Sequence, residues 1–156
     1  MLGYAFNDDA LLTQALTHRS LSADHNERLE FLGDSLLNMI VSDFLYRRFP
    51  NLDEGELSRI RASLVSGKAL AAVAAELNLG EHLLLGSGER NSGGKRRSSI
   101  LADAVEAILG AIYLDGGMAS CQACVHRWFA GRLESIDPTA SHKDAKTRLQ
   151  EYLQAR

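Results

Sequence analysis

The chain has 156 residues, enough for one domain with a substantial core and too few for two of ordinary size. Hydrophobic residues at 46% and charged residues at 24% are globular values that exclude wholesale disorder, and a net charge of −3 is not the balance of a stand-alone nucleic-acid binder. No run of 18 apolar residues and no basic stretch leading into an apolar core is found, so a soluble, cytoplasmic protein with no membrane contact is expected.

Asn7 or Asp8 can cap a first helix running to about His18, with Leu11, Leu12, Ala15 and Leu16 as its buried stripe. After a polar loop, a long helix is predicted from about Asn26 to Phe49. Leu29, Leu32, Leu36, Leu37, Ile40, Val41 and Phe44 recur there at helical spacing, and Pro50 stops it. Two further helices are predicted, from Asp53 to about Leu64 and from Gly67 to about Leu77, or one bent rod broken near Ser66-Gly67. Leu83 to Gly94, with Gly86, Gly88, Gly93 and Gly94, reads as irregular loop. Ser98 or Ser99 opens the next helix, Gly116-Gly117 ends it, and a last one runs from about Ala119 to Leu133. No stretch alternates apolar and polar over strand length, so the fold class is all-α. Cys121 and Cys124 form a lone Cys-x-x-Cys without the further ligands zinc needs, and read as reduced packing residues.

The chemistry sits in the acids. Within Asn26-Glu-Arg-Leu-Glu-Phe-Leu-Gly-Asp-Ser35, Glu27, Glu30 and Asp34 fall within about 60° of one another around a helix axis. Like charges at i,i+4 repel, and exposed helices usually pair them with a base. A second pair, Asp103 and Glu106, sits among small and apolar residues in Ile100-Leu-Ala-Asp-Ala-Val-Glu-Ala107. Two uncompensated pairs on apolar helices suggest oxygen ligands converging on a hard divalent cation, although a single such acid is more commonly a solvated surface group.

Those residues also carry a resemblance. Asn26 to Ser35 resembles the signature of the ribonuclease III endonucleases. Asp53-Glu-Gly-Glu-Leu-Ser-Arg59, Ser92-Gly-Gly94 with Arg96-Arg97, and Ile100 to Ala107 resemble further blocks of that family in the same order, over nearly the whole chain. The resemblance implies an all-helical endonuclease domain over residues 1–134, expected as a homodimer. It implies that Glu30, Asp34, Asp103 and Glu106 hold Mg²⁺, with Mn²⁺ as a plausible substitute, and that Asp34 and Glu106 act in catalysis. Glu27 and Glu54 match acids associated with positioning RNA and completing the cleft. Phe31, on the acid side of its helix, matches an aromatic that inserts into a socket on a second subunit. Double-stranded RNA is the implied substrate, cut to 5′-phosphate and 3′-hydroxyl ends in the processing of rRNA and mRNA. The rival reading is a non-catalytic RNA- or ribosome-binding protein on the same fold.

Lys95, Arg96 and Arg97, just before the second acidic helix, are candidates for contact with the RNA backbone, against the plainer reading of a solvated loop. The Gly-rich stretch before them fails the phosphate-loop pattern, because Glu89 stands where glycine is needed and Arg96 where Ser or Thr is needed, so no nucleotide cofactor is expected. His18, in Thr17-His-Arg-Ser20, reads as structural. Residues 135–141, with Asp137-Pro138, read as a linker. Residues 142–156 resemble the incomplete first helix of a double-stranded-RNA-binding domain, which follows the endonuclease domain in bacterial members of the family.

Overall fold

The computed structural model describes residues 2–139, together with 150 and 154. Its α-helices are α1 (Asp9–Leu16), α2 (Glu27–Arg48), α3 (Glu54–Leu64), α4 (Gly67–Glu76), α5 (Ser87–Asn91), α6 (Ser98–Trp128) and α7 (Ala130–Glu134), with 3₁₀ turns at Leu79–His82 and Gly94–Arg96. The only strand-like pairing among the described residues is one isolated parallel bridge, Thr17 to Leu84. The linker at 135–141 is described only to Thr139, and the helix expected over 142–156 lies, save 150 and 154, outside the described residues.

Local chemistry sets the starts of α1, α3 and α4. Asp8 accepts a hydrogen bond from Ala10 N at 2.9 Å, and Ser66 accepts one from Ala69 N at 3.2 Å. Asp53 and Glu56 close a reciprocal capping box at the start of α3. Asn26 departs from this pattern. Its buried side chain donates to Ala15 O at 3.1 Å and its backbone N–H to Thr17 O at 2.9 Å, which bolts the start of α2 to the end of α1. α1 stops at Leu16, short of His18, because the next residues are drawn into the bridge: Leu84 N donates to Leu16 O and His18 N to Leu84 O, both at 2.9 Å.

The Leu83–Gly94 stretch is a second departure from expectation, since Ser87–Asn91 forms a helical turn. Gly86 is held at its start by a bond from its N–H to Ser20 Oγ (2.9 Å), and Glu89 in its first turn pairs with Arg97 at 2.6 Å. Tertiary partners thus supply what a five-residue helix cannot supply alone.

The core is built around α6, whose Ile100, Ala104, Val105, Ala107, Ile108, Leu109, Ala111 and Ile112 are all buried. The buried stripe of α2 (Leu29, Leu36, Leu37, Ile40, Val41 and Leu45) packs on one side of it, and Leu70 and Val73 of α4 on another. A helix covered on several sides is apolar around most of its circumference, so an acid on α6 must have a reason to be there. Gly117, with φ 78° and ψ −175°, breaks α6 where the paired glycines predicted an end. Cys121 and Cys124 are free, buried and unreactive: burial drives the Cys121 thiol up to about 12 and raises that of Cys124.

Candidate active site

The site begins with two glycines. A Cβ at Gly33 of α2 would run into the Glu106 carbonyl of α6, and one at Gly110 of α6 would run into the Leu29 carbonyl of α2. The two helices therefore cross backbone against backbone, closer than any side chain would allow. That contact sets Glu30 beside Asp103 and Glu106, whose ligand oxygens lie within 4.8 Å of one another. Asp34, one turn beyond Glu30, hydrogen-bonds with Glu106. All four acids singled out in the sequence thus meet at one crossing.

Burial and like charge act together on these carboxyls. Burial, then the charges of Asp34, Glu30 and Asp103, then the hydrogen bond with Asp34, push the Glu106 carboxyl up to about 8. Each of these influences acts in the same direction. Glu30 is raised by burial and by Asp103, Glu27 and Asp34; Asp103 is raised by burial, with His18 opposing and Glu27 adding. Burial and like charge thus favour a proton on the Glu106 carboxyl near neutral pH. Carboxylate oxygens gathered at this spacing fit a hard divalent cation such as Mg²⁺, whose binding requires that proton to leave.

The remaining candidates scatter. Glu27 is exposed at the rim of the cluster, paired with Arg19 at 3.3 Å and within 4.0 Å of His25. Glu54 accepts from Ser58 Oγ at 2.8 Å and lines a separate groove of about 740 Å³ between α2 and α3, with Met39, Asp43, Tyr46 and Arg61. The three consecutive cations diverge. Arg97 reaches a polar cavity beside the acids, Lys95 pairs with Glu81 at 3.3 Å, and Arg96 is exposed with no ion-pair partner among the described residues. Phe31 is 79% exposed and, with Leu32 and Leu114, walls an apolar groove of about 610 Å³. It does not pack under a loop of its own chain.

Two placements were not foreseen. Asn38, one turn after Asp34, donates from Nδ2 to Asp34 Oδ1 at 3.0 Å and steadies that carboxylate without neutralising it; its i+4 spacing was the available signal. His18 stands in the wall of the cavity of about 650 Å³ that also exposes Glu30 and Asp103.

The profile of the Ribonuclease-III-like domain family matches residues 8–133. The chain is 59% identical over 155 residues to Ribonuclease 3 of Vibrio cholerae serotype O1, covering 99% of this chain and 69% of that one. It is 61% identical over 153 residues to Ribonuclease 3 of Shewanella pealeana, covering 98% and 68%. The chain belongs to the ribonuclease III family. Among solved structures, the nuclease domain of the Campylobacter jejuni ribonuclease III superposes with a TM-score of 0.82 at 44% identity, over 87% of this chain and 93% of that one. A Dicer from Pichia stipitis superposes at 0.68 with 28% identity, over 85% and 59%. A second structure of the Campylobacter domain is described by flexibility in a region involved in dimer formation. Members of the ribonuclease III family are endoribonucleases, and this chain has the all-helical fold and acid cluster of that class. No helix among the described residues is long and apolar enough to cross a membrane.

Proposed function

We propose that this protein hydrolyses phosphodiester bonds of double-stranded RNA with Mg²⁺ at the Glu30, Asp34, Asp103 and Glu106 cluster, leaving 5′-phosphate and 3′-hydroxyl ends. The observation that carries this reading is the convergence of three carboxylates within 4.8 Å, with a fourth bonded to Glu106, in a member of the ribonuclease III family. A divalent ion held there supplies an activated water and charge stabilisation for the phosphoryl oxygens and the departing 3′ oxygen. The chain's own residues do the rest. Glu106 would lose its proton on holding a cation, Asn38 keeps Asp34 aimed at the crossing, and Glu27 with its Arg19 partner edges the path by which RNA arrives. Mn²⁺ would substitute. A non-catalytic RNA- or ribosome-binding role would not need four acids at one crossing.

The working form is a homodimer in which Phe31 is seated on the partner, because a side chain so exposed and so apolar gains about 2 kcal/mol or more when covered. Glu54 joins the cleft in that assembly. Selectivity for the duplex rests on A-form shape and 2′-hydroxyls, and the cellular role is RNA processing, of rRNA and mRNA, in the cytoplasm. Residues 135–141 act as a linker to residues 142–156, whose sequence resembles the first helix of a double-stranded-RNA-binding domain. The test is incubation with long duplex RNA, with Mg²⁺ or with a chelator, resolving product length and end chemistry. Mg²⁺-dependent duplex cleavage supports the reading, and its absence, or cutting confined to single strands, overturns it.

A further inference from the structure

The cavity next to the acid cluster carries a donor, His18, that bears on Asp103 by its charge but makes no hydrogen bond to the acids among the described residues. His18 is fixed by its surroundings to an unusual degree for a loop residue. Its N–H donates to Leu84 O (2.9 Å), Asn26 N donates to the adjoining Thr17 O (2.9 Å), and Gly86 N donates to Ser20 Oγ (2.9 Å). The ring is fixed as well. Nδ1 accepts from the Ser20 backbone N–H at 3.1 Å and lies 2.8 Å from Ser20 Oγ. The Ser20 hydroxyl receives the Gly86 N–H, so its own hydrogen is free to point at Nδ1. A neutral imidazole whose Nδ1 accepts carries its hydrogen on Nε2.

This tautomer decides what the ring can do. Nε2–H has no lone pair for a metal, so His18 is not a further ligand beside Glu30 and Asp103. It is a hydrogen-bond donor with no partner for Nε2 among the described residues. It stands in the wall of the cavity of about 650 Å³ that also holds Glu30, Asp103, Arg97 and Ser99. The acids of that wall would repel a polyanion unless donors stood between them; on the Thr17–Ser20 side these are Arg19, already paired with Glu27, and His18, whose Nε2 is paired with nothing among the described residues.

We infer that His18 is a positioning residue for substrate: its Nε2–H binds the sugar-phosphate backbone of the RNA strand next to the bond held at the acid cluster. This rests on the endoribonuclease reading given above. A backbone contact of this kind sets where the strand lies but carries no base sequence.

Two substitutions separate the two ends of the ring. In His18→Asn the side-chain oxygen replaces Nδ1 toward Ser20 but the distal donor is lost. In His18→Gln the longer amide restores a donor near Nε2. Steady-state cleavage of one defined RNA duplex is compared for both variants and the unaltered protein, alongside Mn²⁺ affinity by electron paramagnetic resonance and folding by circular dichroism. His18→Asn should raise KM about 10-fold with kcat changed less than 3-fold and Mn²⁺ affinity unchanged, and His18→Gln should recover most of the loss. Unchanged KM in folded His18→Asn, equal losses in both variants, or Mn²⁺ affinity falling in step with cleavage would each overturn the assignment. The last would make His18 a support for Asp103 instead. If the unaltered protein leaves the duplex intact, the endoribonuclease reading itself fails, and that result is visible before any variant is compared.

Discussion

Glu106→Gln should make the metal-free protein more stable while destroying its activity, because the carboxyl is placed for a cation and suffers without one. Its pKa stands at about 8 against an ordinary 4.5, with burial the main cause and Asp34, Glu30 and Asp103 adding. A folded-state value above the unfolded one means the native state binds the extra proton. Stability is then greatest below about pH 4.5 and is lost progressively as pH rises to about 8. For a fully desolvated carboxyl this displacement would correspond to about 5 kcal/mol. Glu106 is only half-buried, and solvent screening reduces the expected effect to about 1–2 kcal/mol. Glutamine keeps the shape and carries no charge, so melting in a chelator should show the variant near the parent at pH 4.5. At pH 8.5 it should lie above the parent by about 2–8 °C for a domain of this size. Added Mg²⁺ should reverse the order, stabilising the parent alone, while RNA cleavage by the variant falls about 100-fold or more. A variant that melts below the parent at pH 8.5 in chelator, or a gap that does not widen with pH, would refute the view of Glu106 as an uncompensated ligand.

Gly33→Ala places a methyl group against the Glu106 carbonyl, and should destabilise by about 1–3 kcal/mol while weakening Mn²⁺ binding measured by electron paramagnetic resonance. If metal affinity stays at the parent value in that variant, the close helix crossing does not assemble the site. Phe31→Ala should shift sedimentation toward monomer by loosening association about 30-fold or more; a parent chain already monomeric at micromolar concentration would remove the role given to Phe31. With a net charge of −3, duplex RNA affinity should fall steeply between 50 and 200 mM salt, which filter binding in Ca²⁺ would report as a linear log–log slope. Salt-independent binding would show recognition without phosphate neutralisation.

The outcome at each element follows from how local its causes are. Asp8, Asp53 with Glu56, Ser66, Pro50 and Gly117 act on backbone groups a few residues away, so the starts of α1, α3 and α4, the end of α2 and the break in α6 were legible from the chain, while the division of the last expected helix at Phe129 was not. The four acids were legible for a different reason: each pair shares a turn of helix, and an unneutralised pair on an apolar helix stands out without knowledge of the partner. α5 was not legible, because its support comes from Ser20 and Arg97, outside the segment. Nor was the dispersal of Lys95, Arg96 and Arg97, since Lys95 and Arg96 point about 120° apart in a 3₁₀ turn, Arg97 follows in extended backbone, and each finds different neighbours.

The amino-acid order by itself determined that this chain is helical, that Glu30 and Asp34 share one face, and that Asp103 and Glu106 share another. Periodicity and like-charge repulsion operate within a turn or two. Only the tertiary structure decided that these faces meet, that Asn38 braces Asp34, and that His18 lines the cavity of Glu30 and Asp103. The deciding contact is the crossing of α2 and α6 at Gly33 and Gly110, where two missing side chains let backbones nearly eighty residues apart in sequence touch. A missing side chain leaves no mark on hydrophobic pattern or charge, and its meaning appears only when the opposing carbonyl is in place.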